Sequence, residues 1–192
     1  MRRLLLASSS PYRRELLSRL QLAFETDAPH IDETAHPAET PSQLVRRLAH
    51  EKALALAGTH LDHLIIGSDQ VAVLGQQILG KPHTHQRATQ QLRACSGNSV
   101  SFLTGLALLD SRDGTVQVDC IHFTVHFRDL TEQQIDRYLK TEQPYDCAGS
   151  FKAEGLGVSL FRATEGSDAT SLIGLPLIRL VSMLNEAGVE IP

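Results

Sequence analysis

Leu4-Leu5-Leu6-Ala7-Ser8-Ser9-Ser10-Pro11-Tyr12-Arg13-Arg14 passes from an apolar run to small hydroxyls, a proline and two arginines. That order reads as a buried strand over 3–7, a tight loop, and a helix over 10–20 with Leu16, Leu17 and Leu20 on one side. Ser10 can cap the helix and Pro11 suits its first position. Backbone N–H groups at such a start attract anions. Arg13 and Arg14 sit in the first turn, where positive charge opposes the helix dipole. A bound phosphate removes that conflict, so the first fourteen residues form a candidate polyphosphate cradle.

Strand and helix signals alternate onward from there. Residues 27–39 have loop composition. Thr40 and Gln43 make a capping-box pattern, Pro41 takes the first helical position and Gly58 closes a helix over 41–57. Leu64–Gly67 reads as a short buried strand ending in Ser68-Asp69-Gln70. Val71–Leu74 and Gln77–Leu79 read as a hairpin around Gly75-Gln76. A helix over 84–95, a doubly buried strand over 100–109 and an alternating strand over 116–127 follow. In the last of these the alternation slips at Cys120-Ile121, which suggests a bulge. The remainder reads as a helix over 131–140, a glycine-rich loop leading into a strand at Val158–Phe161, and a final helix from Leu175 to Asn185. Interleaved strands and helices make the class α/β with a mixed sheet. No Pro/Gly/Ser-rich linker divides the chain, so residues 1–192 read as a single domain.

Composition narrows the function classes. Of the 192 residues 42% are hydrophobic and 21% charged, which is ordinary for a globular protein. A net charge of −4 argues against broad nucleic-acid phosphate neutralisation, though not against one small anion in a local basic pocket. No run approaches membrane-spanning length, and Leu4–Ala7 is too short for a signal-peptide core. Three cysteines, Cys95, Cys120 and Cys147, are odd in number and unpaired in spacing, which fits a reducing cytoplasm.

Several residues stand out of place. On the 41–57 helix the apolar stripe is set by Leu44, Val45, Leu48, Ala55 and Leu56, and Lys52 falls near its middle. An inward lysine needs an anion or a route to solvent. Asp69 follows a buried strand, where open α/β sheets place ligand sites, and a carboxylate there can bind metal, activate water, or simply cap a turn. Lys81 follows a glycine turn, the usual place of a solvated charge. Asp32-Glu33-Thr34 is an acidic loop of solvated or Mg²⁺-binding type. In Gly149–Gly157, Gly155 and Gly157 permit close backbone approach, and Lys152 and Glu154 would share a face if the segment were extended. The nine histidines form no metal pattern. Ser8–Ser10 lack nucleophile-elbow glycines and a partner histidine.

Taken in order, Ser8-x-Ser10-x-x-Arg13-Arg14, Glu33, Ala49-x-Glu51-Lys52-Ala53, Gly67-Ser68-Asp69, Gly80-Lys81-Pro82, Ser96-Gly97, Thr104-Gly105, Ala148-Gly149 and Gly174-Leu175-Pro176 resemble the Maf family of nucleoside triphosphate pyrophosphatases. The resemblance runs from residue 3 to about residue 184. It implies an inosine-triphosphatase-like α/β fold: a long mixed β-sheet flanked by helices, with two lobes around a central cleft. It also implies hydrolysis between the α and β phosphates, with a divalent metal cation (Mg, Mn or Co) as cofactor. Asp69 would be the proton acceptor, with Lys52 and Lys81 as further catalytic residues. Glu33 and Asp69 would hold the metal, and Ser8, Ser10, Arg13 and Arg14 the phosphates. A triphosphate–Mg²⁺ complex needs such converging donors, and in-line attack at phosphorus needs positioned water and charge stabilisation.

Within the family, Tyr12, Gln70 and Glu154 depart from the dTTP/UTP branch, which typically carries arginine, threonine and glutamine there. The chain is similar instead to the branch that hydrolyses 7-methyl-GTP, as is its stretch Gly149–Gly155 with Lys152. Tyr12 can offer an aromatic face to the cationic ring, and Glu154 a carboxylate to the guanine N1–H and N2–H₂ edge. Gln70 and Lys152 complete the implied substrate-binding set. A dTTP/UTP or other modified-nucleotide pyrophosphatase and a non-catalytic nucleotide-binding regulator of cell division stay open. The partner expected is a nucleoside triphosphate, with no nucleic acid or membrane, and a homodimer is compatible with the sequence.

Overall fold

The computed structural model describes residues 2–191. Seven strands form one sheet in the order β2-β1-β3-β5-β6-β7, with β4 on β3. They are β1 (Arg3–Ala7), β2 (Phe24–Asp27), β3 (His63–Leu74), β4 (Gln77–Leu79), β5 (Ser99–Asp110), β6 (Val116–Phe127) and β7 (Phe161–Gly166). β1 pairs in parallel with β2 and β3, whereas β3 with β4 and β6 with β7 are antiparallel, so the sheet is mixed. The helices are α1 (Pro11–Ser18), α2 (Pro41–Ala57), α3 (His85–Cys95), α4 (Glu132–Glu142), α5 (Ala169–Ile173) and α6 (Leu177–Glu186).

The chain divides into two compact units, with boundaries inside β3, β5 and β6. The first holds residues 1–70, 104–121 and 168–192. Here β1 alternates between two cores, as a strand buried on both faces must. Leu4 and Leu6 join Leu16 and Leu17 of α1, Leu180 and Leu184 of α6 and Leu106. Leu5 and Ala7 join Ala53 and Leu56 of α2 and Ile65. The second unit holds residues 71–103 and 122–167. At its centre Phe102, Phe127, Phe151 and Phe161 meet edge to face, with ring centroids 4.9–5.6 Å apart. Such packing contributes beyond simple area burial.

Local signals account for most element starts. Ser10 caps α1, and Thr40 with Gln43 closes a capping box on α2. Thr131 with Gln134 does the same on α4. α1 is shorter than the 10–20 span expected, because Gln21 takes a left-handed φ of 55° and turns the chain into β2. The buried face of α2 runs through Ala49 and Ala53, whereas Ala55 is exposed.

Three strands depart from expectation, the first being β2, whose Phe24–Asp27 no local pattern marked as a strand. The short strand and hairpin arm around Asp69 are one twelve-residue strand, β3, so Asp69 lies mid-strand instead of at a strand end. The reason is that Ser68, Asp69 and Gln70 find side-chain partners within the fold, so polarity does not force a turn. The strand expected at Val158–Phe161 begins only at Phe161, and Leu156–Leu160 is a 3₁₀ turn. β6 is one strand through Cys120-Ile121, and a register shift in its pairing with β7 falls at His126–Phe127. Among the described residues no helix is long and apolar enough to cross a membrane.

Candidate active site

In the first unit the out-of-place lysine meets the acidic residues. Lys52 is 7% exposed, on the face of α2 between Ala49 and Ala53. Its Nζ donates to Asp69 Oδ1 at 2.6 Å and lies 2.9 Å from Glu33 Oε1. Asp69 is also buried, whereas Glu33 reaches in from an exposed loop. A buried ammonium without a counter-charge would be costly, and here it has two. Asp69 lies three residues beyond Ile66, the last β3 residue in register with β1, so its side chain stands past the carboxyl end of that parallel pair. Ligand sites of α/β sheets lie there.

The neighbouring side chains hold this corner. Arg13 Nε donates to the Gly174 carbonyl at 2.8 Å. Burial lowers the Arg13 pKa from its ordinary value, against the pull of Asp69 and Glu33, and a guanidinium keeps its charge throughout. Gly174 has φ 123°, a backbone conformation that residues with a Cβ rarely adopt, which explains the glycine of Gly174-Leu175-Pro176. Ser68 Oγ lies 2.9 Å from the carbonyl oxygens of Gly105 and Gly174. Gln70 Nε2 donates to Thr104 Oγ1 at 2.9 Å and to the Ser171 carbonyl at 2.6 Å. Gln70 thus spends its amide protons on clamping the α5 segment. Ser8 Oγ accepts from Ser10 N–H at 3.1 Å, and Ser10 Oγ from Arg13 N–H at 3.4 Å, so both hydroxyls shape the turn into α1.

The two arginines diverge. Arg14 is exposed and lines a surface depression of about 590 Å³ with Glu15, Ser18, Leu22 and Phe24. Tyr12 is half-buried on α1.

Lys81, Lys152 and Glu154 belong to the second unit. Lys81 is exposed after β4. Lys152 donates from Nζ to the Glu142 carbonyl at 3.3 Å, with the Glu142 carboxylate 3.8 Å away. The segment is folded, not extended. Gly155 and Gly157 N–H both donate to the Lys152 carbonyl, at 3.3 and 3.1 Å, so Lys152 and Glu154 lose the strand geometry that would put them on one face. Close approach is nonetheless the reason for the glycines. A Cβ on Gly157 would overlap the Lys152 carbonyl, and one on Gly155 the Glu142 carboxylate. Glu154 is exposed.

Glu33 and Asp69 present oxygens to one cation already, and paired carboxylate oxygens are the donors that hard divalent ions prefer. The donor set therefore fits an Mg²⁺-type ion. A second group of potential ligands, Glu25, His60 and His63, also comes together in this unit. The sequence reading missed it, although His60-x-x-His63 was a visible signal. The cysteines are free, and burial pushes the Cys95 and Cys147 thiols up to about 12, which leaves neither a ready nucleophile.

Comparison with known proteins places this geometry in a family. Residues 3–187 match the model of the Maf-like proteins. A protein of Pseudomonas savastanoi pv. phaseolicola is 70% identical over 189 residues, with 98% of each chain covered. One of Pseudomonas aeruginosa is 68% identical with the same coverage, and one of Nitrosococcus oceani is 59% identical over 185 residues, 96% of this chain and 93% of that one. All three carry the name 7-methyl-GTP pyrophosphatase. The solved structure of the Staphylococcus aureus Ham1 protein superposes with a TM-score of 0.55 at 13% identity, covering 97% of this chain and 99% of that one, and so shares the fold. With the family model spanning nearly all of the chain, this protein belongs to the Maf family.

Proposed function

We propose that the chain is a nucleoside triphosphate pyrophosphatase that hydrolyses 7-methyl-GTP to 7-methyl-GMP and pyrophosphate. One observation carries the reading: a buried lysine bridges Asp69 and Glu33 beyond the end of the parallel strands, in a chain 70% identical to a protein named for this reaction.

In this mechanism Asp69 is the proton acceptor. Lys52 holds Oδ1, and Oδ2 takes a proton from the water that attacks the α-phosphorus. A phosphorus–oxygen bond forms, the α–β anhydride bond breaks, and pyrophosphate leaves. Glu33 and Asp69 would hold a divalent cation (Mg, Mn or Co), which supplies charge neutralisation on the phosphates when bound. Arg13, anchored at Gly174, offers its remaining guanidinium donors to the phosphates. Ser8, Ser10 and Lys81 add donors and charge, Arg14 turns away to another surface, and Lys52 stabilises the developing negative charge. Gln70 acts by holding the α5 segment in place. Tyr12 faces the cationic 7-methylguanine ring, and Glu154, on the turn shaped by Lys152, accepts from its N1–H and N2–H₂ edge. Residues 1–192 work as one Maf-like domain in the cytoplasm.

The test is pyrophosphate release from 7-methyl-GTP, GTP, dTTP and UTP with Mg²⁺, Mn²⁺ or Co²⁺. The expected result is the highest kcat/KM with 7-methyl-GTP. Preference for dTTP or UTP would instead support a pyrimidine-nucleotide enzyme, and no pyrophosphate from any nucleotide would end the enzyme reading. Glu154→Gln replaces a charged acceptor with a neutral amide. A hydrogen bond to a charged group contributes about 1.5–3 kcal/mol, so the preference for 7-methyl-GTP over UTP should fall by roughly 10- to 100-fold. An unchanged ratio would remove Glu154 from base recognition.

A further inference from the structure

His63 opens β3 six residues before Asp69, about 20 Å away along an extended strand at about 3.3 Å per residue. We propose that His63, His60 and Glu25 form a binding site for a divalent transition-metal ion of the zinc class, separate from the nucleotide site. One ligand atom from each lies within 4.8 Å of the other two.

The geometry of His63 carries the inference. Its side chain is 6% exposed. Nδ1 sits 2.8 Å from the Leu61 carbonyl oxygen, which can only accept, so Nδ1 carries the proton. With the proton on Nδ1, the neutral form of the ring presents its lone pair at Nε2. That atom is sealed from water and has no hydrogen-bond partner. The acidic oxygen beside it, Glu25 Oε1, is 3.8 Å away, too far for a hydrogen bond. A buried lone pair facing a carboxylate has no donor to accept from, and a cation between them would be held by both. A backbone carbonyl on the other ring nitrogen is the contact that orients metal-ligating histidines.

His60 adds the second imidazole. Asp27 Oδ2 holds its Nε2 at 2.9 Å, a carboxylate–imidazole pair of the kind that orients a ligand ring. The His60 and His63 rings meet edge to face with centroids 5.3 Å apart. Glu25 is in register with Leu5 on β1, and Arg3 with His63, so Glu25 and His63 project from the same face of the sheet. Arg3 shares that face but is exposed and can turn to solvent. Two imidazoles and one carboxylate with an open fourth position suit Zn²⁺, and suit Mg²⁺ poorly because it prefers oxygen. The ion would tie β2, the α2–β3 loop and β3 together, and an ion bound by the folded state alone stabilises it. This site does not depend on the pyrophosphatase reading.

The test uses the full chain, stripped of metal with a chelator and then titrated with Zn²⁺ under excess Mg²⁺. One Zn²⁺ equivalent should bind and raise Tm, and Co²⁺ should give an imidazole-type visible spectrum. Glu25→Gln and His60→Asn, at positions exposed or half-buried, should each weaken Zn²⁺ binding by roughly 10- to 100-fold, as loss of a ligand or its support does. Nucleotide hydrolysis under Mg²⁺ should stay unchanged in both variants, and Asp69→Asn should keep its Zn²⁺ equivalent. Absence of Zn²⁺ binding, or wild-type affinity in both Glu25→Gln and His60→Asn, would overturn the proposal. A chain that releases no pyrophosphate but keeps the Zn²⁺ equivalent would separate failure of the enzyme reading from failure of this one.

Discussion

Asp69→Asn is expected to lower kcat for nucleotide hydrolysis by about 100- to 10,000-fold, the range that a positioned general base contributes. Nucleotide affinity should be retained. Asparagine keeps the shape of the side chain and can still accept from Lys52, but it cannot take a proton from water. Lys52 also keeps a counter-charge, because Glu33 Oε1 is 2.9 Å from its Nζ. The reverse experiment, removal of Lys52, is less clean. It would leave Asp69 buried without its partner, and breaking a buried pair costs about 3–5 kcal/mol of stability. Single-turnover kinetics with equilibrium nucleotide binding check the prediction. Turnover within about tenfold of wild type, a difference of about 1.4 kcal/mol, would show that Asp69 is not the proton acceptor. A binding protein without catalysis would have no turnover to lose.

Gly105→Ala and Gly67→Ala should each cost about 3 kcal/mol, the upper end of the usual overpacking range. A Cβ on Gly105 would overlap the Val45 carbonyl, and one on Gly67 the Ala49 carbonyl. Val45, Ala49 and Ala53 form an i, i+4 row along α2. The helix therefore rests with its backbone against glycines on the neighbouring strands β3 and β5. Backbone atoms cannot rotate away, so the whole helix would have to lift. A cost of that size lowers Tm by roughly 6–12 °C in a chain of this length. Activity should fall as well, because the same close approach sets Lys52, beside Ala53, against Asp69, two residues from Gly67. Gly58→Ala is the control: its Cβ would meet nothing within 4 Å. Thermal unfolding of the three variants checks this. A shift for Gly67→Ala and Gly105→Ala no larger than for Gly58→Ala would show that α2 is not seated on these glycines.

The strand at 3–7 and the helix at 41–57 were legible because their information is local. A short continuous apolar run, a proline at the first turn and a capping box act between residues a few positions apart. The same periodicity turned Lys52 inward before any partner was known. Asp69 was recognisable as a residue, but its setting was misread, because the chain shows three polar residues where the fold supplies each with a partner. Lys152 and Glu154 were expected on one face, and the turn around the Lys152 carbonyl decided otherwise.

By itself the sequence determined the order of the main elements, though not β2 or α5, together with the caps, the inward lysine and the family to which the motifs belong. Only the tertiary structure decided that Arg13 turns to Gly174 while Arg14 lines another surface, and that Glu33 reaches Lys52. It alone brought Glu25 to His60 and His63. Caps and periodicity are set by neighbours along the chain, whereas these meetings join residues far apart in sequence. They follow from strand register and helix seating, which no local pattern encodes.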